Sequence, residues 1–243
     1  MYGLQEEILL NSVLQTYNSK HNSNSKYIKN ILINKDVLKN ILHVNKNEIL
    51  QSTEHFYKLI EYRKKYKPEL ITRSDIKDAL DDKAWYYGGI TKQKYPIIIC
   101  KACNIDINKY TNSEDTIRLV AYIMEKVYKY KKVLVIFDFE KCDYILGPGL
   151  IKVVLKLIKV ITTQYPNFLN KSYCINCSKL FNISYKLISN ILDRDTVTKI
   201  KILEKKKNKL ENKLFIWNQL KIEIDTIMIE EKYGGCHKPY KFI

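Results

Sequence analysis

Glycine and proline are scarce in this chain: 243 residues contain seven of the first and five of the second. The glycines present make no phosphate cradle. GxxxxGK[ST] is absent, and "GPG" at 147–149 and "YGG" at 87–89 and 233–235 lack the spacing that wraps backbone N–H groups around a pyrophosphate. Histidine occurs four times, at 21, 43, 55 and 237, with no HExxH or paired-ligand spacing. GxSxG, the serine nucleophile turn, does not occur. No catalytic constellation stands out, so the expectation is a non-enzyme with no catalytic residues, no metal and no cofactor.

Long apolar runs are also missing. The longest, "GLIKVVLKLIKVI", is broken by Lys152, Lys156 and Lys159, short of the roughly 18–20 uninterrupted residues a membrane span needs. Residues 1–17 lack the basic start, apolar run and small-residue cleavage site of a targeting segment. The expectation is a soluble cytoplasmic protein whose six cysteines are reduced thiols.

What the chain does have is positive charge. The formal net charge is +16 and the pI about 9.4, which suggests an acidic partner: nucleic acid, an anionic membrane surface or a phosphorylated ligand. Lysine, asparagine, isoleucine and 19 tyrosines are the products of A/T-rich codons, so lysine placement is more informative than the total. Nucleic-acid recognition calls for arginine interleaved with aromatics on one face. Here the charge is overwhelmingly lysine with scattered tyrosine, which argues against a nucleic-acid partner.

Two CxxC pairs, Cys100/Cys103 and Cys174/Cys177, invite a four-thiolate zinc site. Seventy residues separate them, far more than a zinc ribbon inserts. Both pairs sit in strand-like runs, where positions i and i+3 face opposite ways. They read as ordinary buried thiols.

Residues 18–26 are polar and low in complexity, a connector. "VLKNILHVNKNEILQSTEHFYKLIEYRKKY" has helical spacing at Ile49, Phe56, Leu59 and Ile60, and Pro68 ends it. The texture then alternates. "YPIIICKA" (95–102), "VLVIFDF" (133–139), "SYCINC" and "IDTIMI" (224–229) read as strands. Between them, 113–131, 149–164 and 178–192 read as helices, the first behind a Thr111/Glu114 capping box and the second led by Pro148. Apolar strands separated by helices predict an α/β fold with a mostly parallel sheet. The domain division expected is a helical module with its polar connector over 1–84, then an α/β domain over 85–243. Residues 204–213, "EKKKNKLENK", are a charge run that reads as a solvated helix face. In 178–192 apolar residues cover most of the helix circumference, so one face meets either the core or something apolar and removable.

Residues 165–203 resemble the CRAL-TRIO lipid-binding domain, the family that includes phosphatidylinositol transfer proteins. The likeness lies in Tyr165-Pro166, the strand "SYCIN", a helix with Phe181, and "LDRDTVTKI". "YYGGITKQKYPIII", "VLVIFDFEKCD" and "EKYGGC" resemble the family's first strands, its aliphatic strand ending in Asp, and its closing aromatic-Gly-Gly. The likeness extends over about 36–236, including Tyr62-Arg63 in the helical module. It departs at Lys94-Tyr95-Pro96, where the family has Gly-Arg-Pro, at Arg194, where it has Pro, and at Ser178, where a Pro follows the hinge.

The resemblance implies helices enclosing an apolar lipid pocket beside a small sheet, with a helical module in front. It implies a lipid headgroup held by Thr196, Lys199 and Lys46, with Lys156 adding a cation where the family has Glu. It implies a pocket lined by Val133, Val135, Phe137, Leu180, Tyr185 and Ile188. The helix 178–192 would be a gate that touches the bilayer through Lys179, Phe181, Lys186 and Leu187, with Ile188 also exposed there. Phosphatidylcholine-binding members carry hydroxyls where this chain has Val133 and Val135, which implies weak or absent phosphatidylcholine binding. The partners implied are one phospholipid (first of all phosphatidylinositol or a phosphoinositide; an isoprenoid-like ligand is the alternative) and, transiently, an anionic membrane. A cytoplasmic, peripherally associated monomer is implied. Asp138 reads as a structural strand-end carboxylate.

Overall fold

The computed structural model describes residues 2–20, 35–105, 113–142, 157–158, 160–190, 192 and 194–240. The chain forms two compact units. One comprises Met1–Ile71 with Ile158–Asn167, the other Thr72–Leu157 with Phe168–Ile243.

The first unit is helical: α1 (Tyr2–Lys20), α2 (Lys35–Val44) and α3 (Ile49–Tyr66). The continuous helix read over 37–66 is two helices. At the end of α2 both the backbone N–H of Asn45 (3.1 Å) and its amide Nδ2 (2.7 Å) donate to Ile41 O. Lys46 and Asn47 then turn through φ of 53° and 64°. At the other end of α3, Lys67 (φ 43°) donates its N–H to Arg63 O, and Pro68 prevents continuation. Val13, Tyr17, Leu38, Ile41, Phe56 and Ile60 form the core of this unit, with the Tyr17 and Phe56 rings edge to face at 5.0 Å.

The second unit carries a five-stranded sheet in sequential order: β1 (Trp85–Ile90), β2 (Pro96–Lys101), β3 (Val133–Asp138), β4 (Leu169–Cys177) and β5 (Ile200–Glu204). β2 to β5 run parallel, and β1 pairs antiparallel on β2. β2 and β3 are apolar on both faces because both faces are covered. On one face lie Ile97, Ile99, Leu134, Ile136, Tyr173, Ile175 and Leu203, packed on Ile216 and Leu220 of α8 (Lys209–Leu220) and on Ile224, Ile229 and Tyr233 of the C-terminal segment. The alternate residues Ile98, Cys100, Val133, Val135, Phe137 and Cys174 lie on the other face. The remaining described helices are α4 (Lys77–Leu80), α5 (Ser113–Val127), α6 (Lys179–Ser189) and α7 (Arg194–Lys199). α5 buries Leu119, Val120, Ile123, Met124 and Val127, as its spacing requires. The readings of Thr111, of Pro148 and of most of 149–164 fall outside the described residues. No helix among the described residues is long and apolar enough to cross a membrane.

Two sequence expectations are corrected. The fourth parallel strand is Ile200–Glu204, not 224–229. Ile224 and Ile229 are buried but Ile227 is 67% exposed, and Thr226–Met228 forms a single 3-10 turn. Cys174 and Cys177 share one cluster instead of facing opposite ways. A bulge in the β4–β5 register inserts one residue between them at Asn176, whose φ is 58°.

Glycine scarcity has a structural answer. Nine described non-glycine residues adopt positive φ, and all are lysine or asparagine. Glycine is kept where nothing else fits: a Cβ on Gly235 would lie 2.0 Å from Ile229 O. Lys94, at the β1–β2 turn, has φ of 66°.

His55 of α3 gives the first unit a pH dependence. Its Nε2 lies 2.7 Å from Thr163 O and its Nδ1 3.1 Å from Asn45 Nδ2, which fits a neutral ring donating from Nε2 and accepting at Nδ1. Burial pushes its pKa below the ordinary 6.5, opposed by the bond to Thr163 and assisted by Lys58. The unfolded chain therefore takes up this proton first as pH falls, so the stability held above pH 6.5 is lost below it. Urea denaturation from about pH 7.5 to about pH 5 is expected to show a stability loss that His55→Gln flattens. An unchanged slope in the variant would assign the loss to other groups.

Candidate functional site

The site is organised by a buried carboxylate. Asp138 ends β3 with 3% exposure and has four partners. Its Oδ1 accepts from Asn176 Nδ2 at 2.7 Å and from Glu140 N at 3.0 Å, and its Oδ2 accepts from the Tyr233 hydroxyl at 2.7 Å, with Lys232 Nζ at 3.5 Å. Lys232 also donates to the Tyr86 hydroxyl at 2.9 Å and lies 3.4 Å from Glu230, which is 2% exposed. Burial, with Asp138 and Glu230 nearby, pushes the Tyr86 and Tyr233 hydroxyls well above the ordinary tyrosine range, so both stay protonated donors.

Asn176 carries this anchor to the next helix. Its Oδ1 accepts from Asn212 Nδ2 of α8 at 2.8 Å while its amide holds Asp138. Its left-handed backbone, tolerable for asparagine, delivers the chain to Ser178. Ser178 caps α6 by accepting from Phe181 N at 3.3 Å. The proline expected at the hinge is thus replaced by an N-cap.

α6 turns its aromatics inward. Phe181 is 7% exposed, with its ring 4.5 Å from Phe139 and 6.4 Å from Tyr185, and the cluster includes Phe137, Cys174 and Cys177. Phe181 and Ile188, expected to touch the bilayer, are both buried here, Phe181 against Phe137 and Phe139. The exposed apolar residue of α6 is Ile183, at 63%, beside exposed Lys179 and Lys186. The side chains of Leu180 and Leu187 are outside the described set. Of the expected pocket residues, Val133 and Val135 are buried on the same face as Phe137, and Tyr185 and Ile188 lie on α6. Burial pushes the Cys174 thiol up to about 12 and Cys177 higher, and Cys177 Sγ donates to Cys174 O at 3.3 Å. These are protonated, packing thiols rather than metal-binding thiolates.

At the opposite, amino-terminal edge of the parallel strands sit the candidate headgroup residues. Lys199 ends α7 and forms an ion pair with Asp195 at 2.5 Å, and Thr196 is half-buried on the same short helix. Lys132, just before β3, joins them although no sequence signal marked it. Burial lowers its pKa and the Lys199 charge lowers it further. Lys46 is exposed on the turn after α2 in the other unit, and Lys156 is outside the described residues. Two further side chains went unmarked. Trp85 Nε1 and the Tyr87 hydroxyl are buried polar atoms with no partner among the described residues. Register places both side chains on the face of Val135 and Phe137, and the Trp85 and Phe137 rings meet edge to face at 6.1 Å.

Residues 80–235 match the CRAL/TRIO domain. The chain belongs to that family. The crystal structure of Sfh5 is similar, with a TM-score of 0.59 and 13% identity over 70% of this chain and 64% of that one. The chain thus spans less than two thirds of that relative's length, and at this identity the likeness establishes the fold. CRAL/TRIO domains are lipid-binding domains, and the five-stranded, mostly parallel sheet flanked by helices is their architecture in this chain.

Asn176 supplies both a conformation and two hydrogen bonds, and these can be separated. Asn176→Gly keeps the positive φ and loses the bonds, with an expected cost of about 1–3 kcal/mol. Asn176→Ala loses both and is expected to cost about 1 kcal/mol more. Equal losses in urea denaturation would show that the backbone turn is not what residue 176 provides.

Proposed function

We propose that the protein is a non-enzymatic carrier that binds one phospholipid, phosphatidylinositol or a phosphoinositide, and moves it between membranes. The observation that carries this reading is the layout of the parallel sheet. Cations and a hydroxyl (Lys199, Lys132, Thr196) stand at the amino-terminal edge of its strands, and Val133, Val135 and Phe137 run along the middle of one face. α6 covers its carboxyl end. A phosphate suits the cations and the hydroxyl donor, and acyl chains suit the valines and phenylalanine, at about 0.8 kcal/mol per buried CH₂. α6 would open at the membrane and close in water. Lys46 and Lys156 belong to the proposed headgroup set on the family resemblance alone.

Val133 and Val135 offer no hydroxyl to a phosphocholine group, whose oxygens would go unpaired at about 1–3 kcal/mol each. Phosphatidylcholine is therefore expected to bind and exchange poorly. A second reading, a ligand with a single polar end such as an isoprenoid alcohol, is favoured by the unpaired donors Trp85 Nε1 and Tyr87 Oη on the same face.

Mass spectrometry of lipid retained by the purified protein separates these ligands, and vesicle-to-vesicle transfer separates a carrier from an adaptor that only senses lipid. Lys199→Ala with Lys132→Ala is expected to lower phosphatidylinositol retention roughly ten- to a hundred-fold relative to a neutral ligand, the worth of a charged hydrogen bond. Equal retention of phosphatidylinositol by the variant, or phosphatidylcholine as the main retained lipid, would refute the phosphoinositide reading.

A further inference from the structure

The charge run over 204–213 is not an ordinary solvated helix face. α8 buries Ile216 and Leu220 against the sheet, and its opposite side should be polar. Instead Leu210 and Leu214, one turn apart, are 76% and 54% exposed. A single exposed leucine is unremarkable, but these two form a stripe on one helix face. Around them stand exposed Lys205, Lys207 and Lys209, with half-buried Lys213 on the next turn and exposed Glu211 as the acidic residue of the first turn. Lys206 is folded back with Nζ 4.5 Å from the Phe215 ring centroid, so it is not counted in the rim.

This stripe joins the gate helix at the carboxyl edge of the sheet. Lys205 N donates to Cys177 O at 2.9 Å, the residue before the Ser178 cap. Asn182 Nδ2 of α6 donates to Glu204 Oε1, which occupies that carboxylate. Ile183, 63% exposed, is the next residue of α6. The lysines before α8 and its exposed leucines therefore stand near the carboxyl edge at which α6 also begins. Apolar ridges seek a nonaqueous phase, and lysine collars seek negative charge. The two together match an anionic bilayer surface, whose acyl interface takes the leucines while its headgroups take the lysines.

We infer that the β5–α8 segment is a membrane anchor, in which Leu210 and Leu214 enter the interface of an anionic bilayer and Lys205, Lys207 and Lys209 lie on its headgroups. It acts beside α6 and is distinct from it, holding the gate's first turn at the membrane while the rest of the gate moves. The anchor shares with the proposed function the visit to a membrane, and the two fail separately because lipid retention and vesicle binding are measured on the same preparations.

The test is sedimentation of the full chain with vesicles of phosphatidylcholine alone and of phosphatidylcholine with phosphatidylserine. Lys205→Glu/Lys207→Glu/Lys209→Glu is expected to lose binding to the phosphatidylserine vesicles by on the order of 100-fold or more, as three lysine contacts near an anionic surface imply. Leu210→Ser/Leu214→Ser is expected to weaken binding and make the remainder more salt-sensitive. Both variants are expected to keep the wild-type melting temperature and retained lipid, since the substituted side chains are at the surface. Independently of folding differences, the fluorescence of a Leu210→Trp variant is expected to be quenched by brominated acyl chains in anionic vesicles. Unchanged vesicle binding in both multiple variants overturns the anchor, as does a Leu210→Trp variant whose added fluorescence is not quenched. Tight oligonucleotide binding abolished by the lysine variant, with no quenching in vesicles, assigns the surface to nucleic acid and likewise overturns it.

Discussion

A carboxylate removed from water must be met by donors, and that demand at Asp138 positions much of the second unit. The four donors come from three places in the chain: the β4 bulge, the backbone after β3, and the adjacent Lys232 and Tyr233. The C-terminal segment is therefore tied to the middle strand of the sheet, and the bulge that starts the gate helix is tied to the same atoms. Glu230 adds a second buried carboxylate, and the partly exposed Lys232 is shared between the two. Such a set is worth little as net stability, yet losing one member leaves an uncompensated charge inside. Its value lies in fixing one geometry where apolar contacts alone would allow several.

That fixed geometry gives the sheet two unlike ends. In parallel strands all amino termini share one edge and all carboxyl termini the other. Lys132, Thr196 and Lys199 collect at the first, and Asn176, Ser178 and the lysines after β5 at the second. α6 starts from the anchored end, and the turn that leads into it is set by the side chain of Asn176 and the Ser178 cap rather than by a proline.

The parts legible in sequence are those whose pattern needs no partner. β2 and β3 are unbroken apolar runs, and α5 has clean helical spacing. β5 escapes notice because "IKILE" alternates lysine with isoleucine in an only half-buried strand and follows a helix without a break. The run at 224–229 misleads because Ile224 and Ile229 are buried by a turn that brings distant positions inward, which mimics strand composition without its period. Cys174 and Cys177 evade the alternation rule through a bulge whose cause, Asn176 reaching Asp138 and Asn212, joins three separate segments. Lys199 and Thr196 are reached through family resemblance, whereas Lys132, Trp85 and Tyr87 matter only through register. Which apolar side of α6 packs inward, the one carrying Phe181, is likewise not given by helix pattern alone.

Lysine occupies six of the nine left-handed positions among the described non-glycine residues. A lysine there costs roughly 1–2 kcal/mol that glycine would not incur. The positive surface and these turns draw on the same abundance of lysine. Each such turn subtracts from the stability margin, and the size of that margin sets how many of them the fold tolerates.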